Sequence, residues 1–439
     1  MSFGIPVRNG LSIGLLASTF LTSGSGRLVP RFTLNFLTGA PLDSRVTFTR
    51  STTATFVGSN GLIQTAAIND PRFGYNPATL TAKGLLIEET RTNLLTYSAQ
   101  IDNAAWTKTN TTVSADAVAS PDGTTSADKA IPTIIAGVHT VKQASGTVTS
   151  GATVAASIYA KKAEYTKILY RVGNAGETSA FQVAVDLNAG TISAPSAYGV
   201  GATVTSASIS DAGNGWYRIT LVGAISGLTA YNQINHVADA SGNVVFAGDG
   251  TSGLYFWGAQ IEAGAFATSY IPTVASTVAR TADIAVMTGT NFSSWYNASE
   301  GTFVSSFEAS PNTFTTYVAA SNGVVAQNSM HMDNDGSGNM RVAYYSGSSA
   351  VALLSLGAVG TLGAVNTLAT AYKVNDFAAS RNGGAVVTDT AGAVPVGVVQ
   401  LNIGADPSGA AVNVSNTHIR FITYYASRLT NAQLQALTA

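Results

Sequence analysis

Short runs of β-forming residues recur along this chain roughly every ten residues, and turn-forming residues separate them. Val, Ile, Thr, Tyr and Phe dominate the runs, as in TVAASIYAKK at 153–162 and GWYRITLVGAIS at 215–226. Pro121-Asp122-Gly123 and Asn214-Gly215 are typical of the tight turns that join antiparallel strands. This spacing predicts a β-sandwich or barrel. A repeat of about 20–30 residues is absent from the sequence, which argues against a parallel β-helix.

One helix is predicted, at the carboxyl end, in RLTNAQLQALTA at 428–439. Thr430 is a suitable N-cap, and Leu434 and Leu437 lie three residues apart on one face. The predicted fold class is therefore mainly β, with tandem antiparallel β-sandwich (jelly-roll) domains and a short C-terminal helix.

The composition narrows the possible partners. Charged residues make up 10% of the chain, whereas globular proteins average about 25%. A surface with so little charge suits a protein built into an assembly, because buried Lys or Glu would have to be desolvated. The net charge is -1 and no basic block is present, so nucleic acid is not an expected partner. The absence of cysteine excludes disulfides and fits folding in a reducing cytoplasm.

The first residues, MSFGIPVRNGLSIGLLASTFLTSGSG, allow two interpretations. Arg8 precedes an apolar run over 11–21, as in a secretory signal peptide. Polar residues such as Ser12 and Thr19 interrupt the run, no clear A-x-A cleavage site follows, and the run is too short to span a bilayer. We therefore favour an arm that docks on a partner protein, with no membrane insertion.

Pattern changes along the chain predict four segments. Residues 1–92 hold the arm and an attachment module, and residues 93–273 read as one β-sandwich. A connector rich in Ser, Thr and Ala follows at 274–299, and residues 300–439 form a second sandwich with the C-terminal helix.

The stretch GLLIEETRTNLL at 84–95 places Glu88, Glu89 and Arg91 close together in a chain with few charges. Adjacent residues of a strand point to opposite faces, so Glu88 and Glu89 cannot flank one glycosidic bond. Arg91 lies on the face of Glu89 and offers an ion pair. We interpret the three residues as a structural clasp.

Motifs of known enzymes are missing from the sequence. The four histidines are isolated from one another, and no G-x-S-x-G elbow, P-loop or H-E-x-x-H motif is present. We expect no catalytic residues, no cofactor and no enzymatic activity.

The stretch HMDNDGSGNMR at 331–341 matches the first half of a calcium loop through Asp333, Asp335 and Ser337. The twelfth position is Tyr344, where an EF-hand requires a glutamate. Two interpretations remain: a hairpin turn, or a partial calcium site completed by groups elsewhere in the fold.

Exposed aromatic rings can stack on sugars, although core packing is the simpler interpretation for any one of the four tryptophans. Trp295 and Tyr296 stand beside polar Asn and Ser in the connector. Asp333, Asn334 and Asp335 are expected at a loop tip. These five residues are the candidate glycan contacts.

Several stretches resemble a known family. DSRVTFTRSTTATFVGSNGLIQTAAINDPRFGYNP at 43–77 and GLLIEETRTNLL resemble the amino-terminal module of tailed-bacteriophage, prophage and gene-transfer-agent structural proteins. Residues 93–273, with PDGTTSADK, DAGNGWYRI and LYFWGAQIEAGAFATSYIPT, resemble a carbohydrate-binding-module-like sandwich. Residues 300–439, which close in IRFITYYASRLTNAQLQAL, resemble a concanavalin-A-like or laminin-G-like jelly roll.

The resemblance implies a non-enzymatic virion protein, assembled in the host cytoplasm as a homotrimer. Its arm would bind other virion proteins of the tail or capsid, and its sandwiches would contact bacterial surface polysaccharide. A tail fibre is the first hypothesis. A head fibre or capsid decoration is the second, and a polysaccharide depolymerase is the third.

Overall fold

The computed structural model describes residues 28–39, 41–311, 314–407 and 412–439. The predicted arm at 1–27 lies outside the described residues. Thirty-four strands and two helices are present in the described part, and the strand pairs are antiparallel, so the predicted mainly β fold class is confirmed.

The strands fall into three groups along the chain. The first group is β1 (Phe32–Asn35), β2 (Thr47–Thr49), β3 (Ala54–Val57), β4 (Ile63–Ala66), β5 (Arg72–Tyr75), β6 (Ala82–Ile87) and β7 (Arg91–Asn93). The second is β8 (Thr107–Thr109), β9 (Thr111–Ala119), β10 (Thr125–Pro132), β11 (Gly137–Val138), β12 (Thr140–Ala144), β13 (Val154–Lys162), β14 (Lys167–Gly173), β15 (Ala180–Asp186), β16 (Thr191–Ile192), β17 (Ser196–Tyr198), β18 (Ala202–Asp211), β19 (Trp216–Ile225), β20 (Asn232–Ala238), β21 (Val245–Phe246) and β22 (Leu254–Ala263). The third is β23 (Val278–Arg280), β24 (Ile284–Thr288), β25 (Glu300–Glu308), β26 (Phe314–Ser321), β27 (Ser329–Asp335), β28 (Asn339–Ser346), β29 (Ser349–Ala358), β30 (Val365–Lys373), β31 (Asp376–Arg381), β32 (Val387–Asp389), β33 (Gln400–Ile403) and β34 (Thr417–Tyr425), with helices α1 (Gly289–Ser293) and α2 (Asn431–Thr438).

The first and third groups together build one sandwich, which we call the outer sandwich. One of its sheets has the order β32-β31-β30-β25-β34-β6-β5, with β1 also paired to β34. The other has the order β2-β24-β33-β26-β27-β28-β29. Apolar residues from both sheets share one core, for example Leu34, Ile87, Phe303, Tyr317 and Leu401.

This arrangement differs from the predicted division at residues 92, 273 and 299. Phe32 of β1 pairs with Tyr424, and Phe48 of β2 pairs with Ala285 in the segment predicted to be a connector. The physical reason is burial. The strands of the first group are only three to six residues long, and their apolar faces are covered by packing into the core of the third group.

The second group forms the central sandwich, which we define as residues 94–277. Its sheets have the orders β18-β19-β13-β22-β10-β9 and β16-β15-β14-β20-β12-β8, with β17 also paired to β15. Trp106, Tyr170, Phe181 and Phe256 are among the side chains of its core.

The central sandwich is an insertion in the outer one. The chain enters it after β7 and leaves it before β23, and these two strands pair, with Asn93 opposite Val278 and Arg91 opposite Arg280. Asn93 Nδ2 also donates to the carbonyl oxygens of Ala259 and Ile271, at 3.1 and 2.9 Å, which fastens this two-stranded ribbon to the central sandwich.

The predicted C-terminal helix is present as α2. The Thr430 hydroxyl accepts a hydrogen bond from the backbone N–H of Gln433, and the Gln433 side chain accepts one from Thr430 N–H, which forms a capping box. Leu434 is fully buried against the outer sandwich. Within the described ranges, neither helix has the length and hydropathy that crossing a membrane requires.

Candidate functional site: a polar cleft between the two sandwiches

Glu88, the first carboxylate of the GLLIEETRTNLL stretch, is buried where the two sandwiches meet. Its Oε2 lies 2.7 Å from Arg72 Nη1 and 2.7 Å from Arg280 Nη1. Ser269, from the central sandwich, donates to Glu88 through its backbone N–H and its hydroxyl, each at 2.7 Å. Both chain segments that connect the sandwiches therefore contribute to one charged cluster.

Asp283 extends this cluster on the side of the outer sandwich. Its carboxylate is ion-paired with Arg50 at 3.0 Å and with Arg72, and it accepts a hydrogen bond from Glu88 N–H at 2.9 Å. The side chains of Arg50, Arg72 and Asp283 have no solvent exposure. We call Arg50, Arg72, Glu88, Arg280 and Asp283 the buried ion cluster.

The Glu89 side chain points away from the buried ion cluster, although Glu88 and Glu89 lie in the link between β6 and β7 and not in the predicted strand. Glu89 Oε1 lies 2.6 Å from Arg91 Nη2, and Glu89 Oε2 accepts a hydrogen bond from Asn416 Nδ2 at 3.0 Å. The predicted Glu89–Arg91 ion pair is therefore present. Glu88 does not pair with Arg91; it belongs to the buried ion cluster, where it pairs with Arg72 and Arg280.

A cleft of about 410 Å³ opens beside Glu88, between the two sandwiches. The outer sandwich lines it with residues 55–57, 74–77, 83, 308 and 416–418, and the central sandwich lines it with Tyr159, residues 210–212, Arg218 and residues 267–270. A cleft at a domain boundary, with converging charged and aromatic side chains, is the default candidate for a binding site.

A carboxylate, an ammonium group and an imidazole converge on the outer wall of the cleft. Glu308 Oε2 lies 3.1 Å from Lys83 Nζ and 2.9 Å from His418 Nδ1. The His418 ring is seated against Gly74, because its Nε2 occupies the space that a Cβ at residue 74 would need. One carboxylate is thus shared between an ammonium group and an imidazole.

The opposite wall combines a cation with an aromatic ring. The Arg218 guanidinium lies 5.5 Å from the centroid of the Tyr159 ring, and its Nη2 donates to Ser157 Oγ at 2.9 Å and to the Thr268 carbonyl at 2.7 Å. Among the described residues, the Arg218 side chain is hydrogen-bonded only to neutral oxygens and its Nε has no hydrogen-bond partner, so the cleft holds a cation without an ion pair within 4 Å.

Electrostatics keep the two buried glutamates of the cleft ionised. Burial alone would raise the pKa of Glu88, but Arg280 and Arg72 outweigh it and hold that pKa below its usual range. Burial also opposes ionisation of Glu308, yet His418 and Lys83 lower its pKa. Burial lowers the pKa of His418, although Glu308 partly compensates.

Two of the predicted glycan contacts, Trp295 and Tyr296, lie in the core of the outer sandwich, so their prediction as exposed platforms is wrong. Trp295 is 4% exposed and stacks on Phe32 with ring centroids 4.3 Å apart. Tyr296 is partly buried and packs on Phe292 and Tyr372. Both rings follow α1 directly and pack against the core, whereas the neighbouring Ser294 is exposed.

Asp333 and Asn334 are also buried, because they belong to strand β27 and not to a loop tip. Both oxygens of Asp333 are bound by Arg341, at 2.8 and 3.0 Å, and burial raises the pKa of Asp333 to about 6. Asn334 has no solvent exposure and accepts a hydrogen bond from the Tyr317 hydroxyl at 3.3 Å.

Asp335 caps the hairpin between β27 and β28. Its Oδ1 accepts hydrogen bonds from the backbone N–H groups of Ser337 and Asn339, at 2.8 and 3.0 Å. The hairpin interpretation of residues 331–341 therefore describes the geometry. A partial calcium site at Asp333, Asp335 and Ser337 does not fit this geometry, because Arg341 binds both carboxylate oxygens of Asp333 and Ser337 donates its backbone N–H to Asp335 within the turn. Within the described ranges, His, Cys, Asp and Glu side chains form no group of three or more that could hold a metal ion.

Sequence reasoning missed most of the charged groups that form the cleft and the buried ion cluster. Arg50, Arg72 and the pair Arg280 and Asp283 come from three separate stretches, and none carries a local motif. His418 and Glu308 were visible only as isolated residues. The sequence signal that could have found them is the rarity of charged residues. In a chain with 10% charged residues, a charged side chain within an apolar strand is expected to have a buried partner.

Comparisons with known proteins bear on the fold alone. No protein-family model and no curated protein sequence matches the chain. Part of the chain is similar to the carbohydrate-binding module CBM40 of Ruminococcus gnavus IT-sialidase bound to alpha2,3 sialyllactose, with 19% identity over 33% of this chain and 84% of that one and a TM-score of 0.29. Another similar structure is NanB sialidase from Streptococcus pneumoniae, with 17% identity, 34% and 26% coverage and a TM-score of 0.30.

A third similar structure is the SAP-like pentraxin from Limulus polyphemus, with 12% identity, 32% and 70% coverage and a TM-score of 0.23. This chain spans about a quarter of the length of the NanB sialidase. At these TM-scores the likenesses carry no argument about activity or ligand.

Proposed function

We propose that this chain is a non-enzymatic structural protein of a tailed-phage particle. It is a tail fibre or similar appendage that contacts host surface glycan. The cleft between the sandwiches is the proposed contact site. It presents the uncompensated cation of Arg218, the shared carboxylate of Glu308 and aromatic and amide side chains, which together suit a hydroxylated, polar ligand. The phage setting rests on the sequence resemblance, and the N-terminal arm would supply the attachment to other virion proteins.

The observation that favours binding over hydrolysis is that each buried glutamate of the cleft is already paired: Glu88 with two arginines, and Glu308 with the Lys83 ammonium and the His418 imidazole. Glycoside hydrolysis requires two carboxyl groups facing one bond, of which one has a raised pKa and acts as the acid. In the cleft, Glu88 is held by Arg72 and Arg280, and Glu308 is held by Lys83 and His418. The pKa values of both glutamates are lowered, so neither is suited to donate a proton near pH 7.

The test is a binding assay of the purified chain on host surface polysaccharide, combined with a reducing-end assay. We expect retention on the polysaccharide without new reducing ends, and at least tenfold weaker retention for Arg218→Gln. Lys373→Gln, an exposed cation of the outer sandwich outside the cleft, is the matched control and should bind like wild type. New reducing ends would instead identify a depolymerase.

The location and stoichiometry on the particle are tested separately by cryo-electron microscopy of intact virions. We expect density at the tail, with three copies around a threefold axis. Density on the capsid shell would make the chain a head fibre or decoration protein, with glycan contact incidental to its role.

A further inference from the structure

The central sandwich has a second polar surface, on the outer face of the sheet that contains β12, β20, β14 and β15. Lys142, Ile234, Arg171 and Gln182 are direct cross-strand partners and form one row across these four strands. The neighbouring row contains Thr140, His236, Leu169 and Ala184. Partners in a row point to the same side of a sheet. Ala184 at the edge of this face is exposed and Lys142, Arg171 and Gln182 are partly exposed, whereas Ile234 and His236 at its centre are buried.

His236 is the unusual residue on this face. It is 2% exposed, and neither ring nitrogen has a hydrogen-bond partner in the described part of the chain. The other three histidines each have at least one partner: His139 contacts the carbonyls of Asn110 and Phe246, His331 contacts Ser329, and His418 contacts Glu308. A buried polar side chain without partners costs free energy, which makes its position informative.

Two cations flank the strand of His236, and one carboxylate joins them. Lys142 stands on β12 and Arg171 on β14, on either side of β20. Glu177 Oε1 lies 2.8 Å from Lys142 Nζ, and Glu177 Oε2 lies 3.2 Å from Arg171 Nη1. A carboxylate that reaches both cations must lie above β20, next to His236.

The loop that carries Glu177 is held in place by contacts of its own. The Tyr198 hydroxyl donates to the Glu177 carbonyl at 3.0 Å, and the Arg171 guanidinium lies 5.3 Å from the centroid of the Tyr198 ring. Glu177 has a φ of +54°, a left-handed conformation that is unfavourable for a residue with a side chain. The loop thus brings a carboxylate to a defined position over the face.

We propose that this face binds the carboxylate of an acidic sugar at the position held by the Glu177 carboxylate, between Arg171 and Lys142, while His236 hydrogen-bonds a neighbouring hydroxyl. Glu177 is then an internal stand-in for the ligand, and it moves aside when the sugar binds. That the ligand is a saccharide rests on the proposed function; that it is anionic follows from the two cations left unpaired once Glu177 leaves.

The chemistry of the surrounding groups fits a sugar acid. Burial, together with Arg171, lowers the pKa of His236 to about 4, so the imidazole is neutral at pH 7 and offers one N–H donor and one acceptor nitrogen. A hydroxyl group needs the same pair. Gln182 lies in the row of Arg171, and its Oε1 accepts a hydrogen bond from Arg171 Nε at 2.9 Å, so its amide N–H groups face the same site.

The test is a titration of the full chain with sodium D-glucuronate, in which the imidazole NMR signals of His236 are monitored. These signals are assigned by their absence from the spectrum of His236→Asn. D-glucose serves as the uncharged control ligand. We expect glucuronate to shift the His236 signals with at least tenfold higher affinity than glucose. Glu177→Gln, which keeps the shape of the side chain but removes the competing charge, should tighten glucuronate binding several-fold.

Arg171→Gln should weaken glucuronate binding at least tenfold, and Lys373→Gln should leave it unchanged. Equal affinity for glucose and glucuronate, or weaker binding after Glu177→Gln, would overturn the proposal. These titrations of the wild-type chain and of Glu177→Gln decide the matter even if Arg171→Gln fails to fold. If the chain binds host polysaccharide through the cleft but glucuronate does not shift the His236 signals, only the site at His236 is refuted. If the wild-type chain does not bind host polysaccharide at all, the proposed function is refuted.

Discussion

Glu88 and Arg280 form a buried ion pair with 2.7 Å between Oε2 and Nη1, although 192 residues separate them in the chain. The whole central sandwich lies between these two residues. Because Ser269 of that sandwich donates twice to the same carboxylate, the pair fixes the outer sandwich, the two connecting segments and the inserted sandwich at one point.

Glu88→Gln is expected to destabilise the protein strongly. The change leaves Arg72 and Arg280 buried beside a neutral amide, and removing one partner of a buried ion pair costs about 3–5 kcal/mol. The free energy of unfolding from urea denaturation measures the effect.

Glu89→Gln is the matched control for this prediction. Its side chain is 30% exposed, and its partner Arg91 keeps its contacts with the Ala263 carbonyl and the Phe266 ring, so its replacement should cost less, about 1–2 kcal/mol. Equal losses for the two variants would show that the buried ion cluster contributes no more than the partly exposed Glu89–Arg91 pair.

The outer sandwich is expected to fold without its insertion. Asn93 and Val278 are cross-strand partners, about 5 Å apart at Cα, so a four-residue Gly/Ser linker can replace residues 94–277. We expect a single cooperative thermal transition, with stability lower by about 3 kcal/mol because Glu88 loses the two hydrogen bonds from Ser269. A chain that aggregates or lacks near-ultraviolet circular dichroism would contradict this.

His331 is expected to make the protein less stable in acid. Burial, with a contribution from Arg341, lowers its folded pKa to about 4, against 6.5 as the ordinary value. Between these values the unfolded chain takes up a proton that the folded chain excludes, so the contribution is complete above pH 6.5 and falls by about 3 kcal/mol at pH 4.

The measurement is the free energy of unfolding at pH 7 and pH 4 for wild type and His331→Gln. The wild type should lose about 3 kcal/mol relative to the variant over this interval. A histidine pKa above 6 in the folded protein, read from its NMR titration, would refute the prediction.

Gly74→Ala is expected to displace His418 from the cleft wall. The new Cβ would overlap the imidazole Nε2, and such overpacking costs about 1–3 kcal/mol. The lowered pKa of His418 should return towards its ordinary value as the ring becomes exposed, which NMR titration detects. Gly146→Ala is the control, because the nearest atom to its Cβ would be at 3.5 Å, an ordinary contact. An unchanged His418 titration in Gly74→Ala would contradict the packing described here.

The sequence predicted those features that are encoded locally. The ten-residue spacing of strands and turns gave the β class, Thr430 marked the start of α2, and the aspartate-rich stretch at 331–341 contains a hairpin turn capped by Asp335. In each case the residues that determine the structure lie within a few positions of one another.

Features that depend on distant pairing were not predicted. Nothing near Phe32 indicates that its strand pairs with β34, and nothing near Trp295 indicates that its ring stacks on Phe32. The same holds for the buried ion cluster, whose members are brought together only by the insertion. Strand alternation specifies which face a side chain occupies, but the partner of that face is set by tertiary packing.

The ribbon of β7 and β23 makes the central sandwich an inserted domain that is attached at a single place. Both junctions lie side by side, so a different module could replace it through two crossovers without altering the topology of the outer sandwich. The constraint on any replacement is a hydroxyl and a backbone N–H positioned, as at Ser269, to meet Glu88. A lineage that exchanges such modules would change the surface that the protein presents while keeping the outer sandwich unchanged.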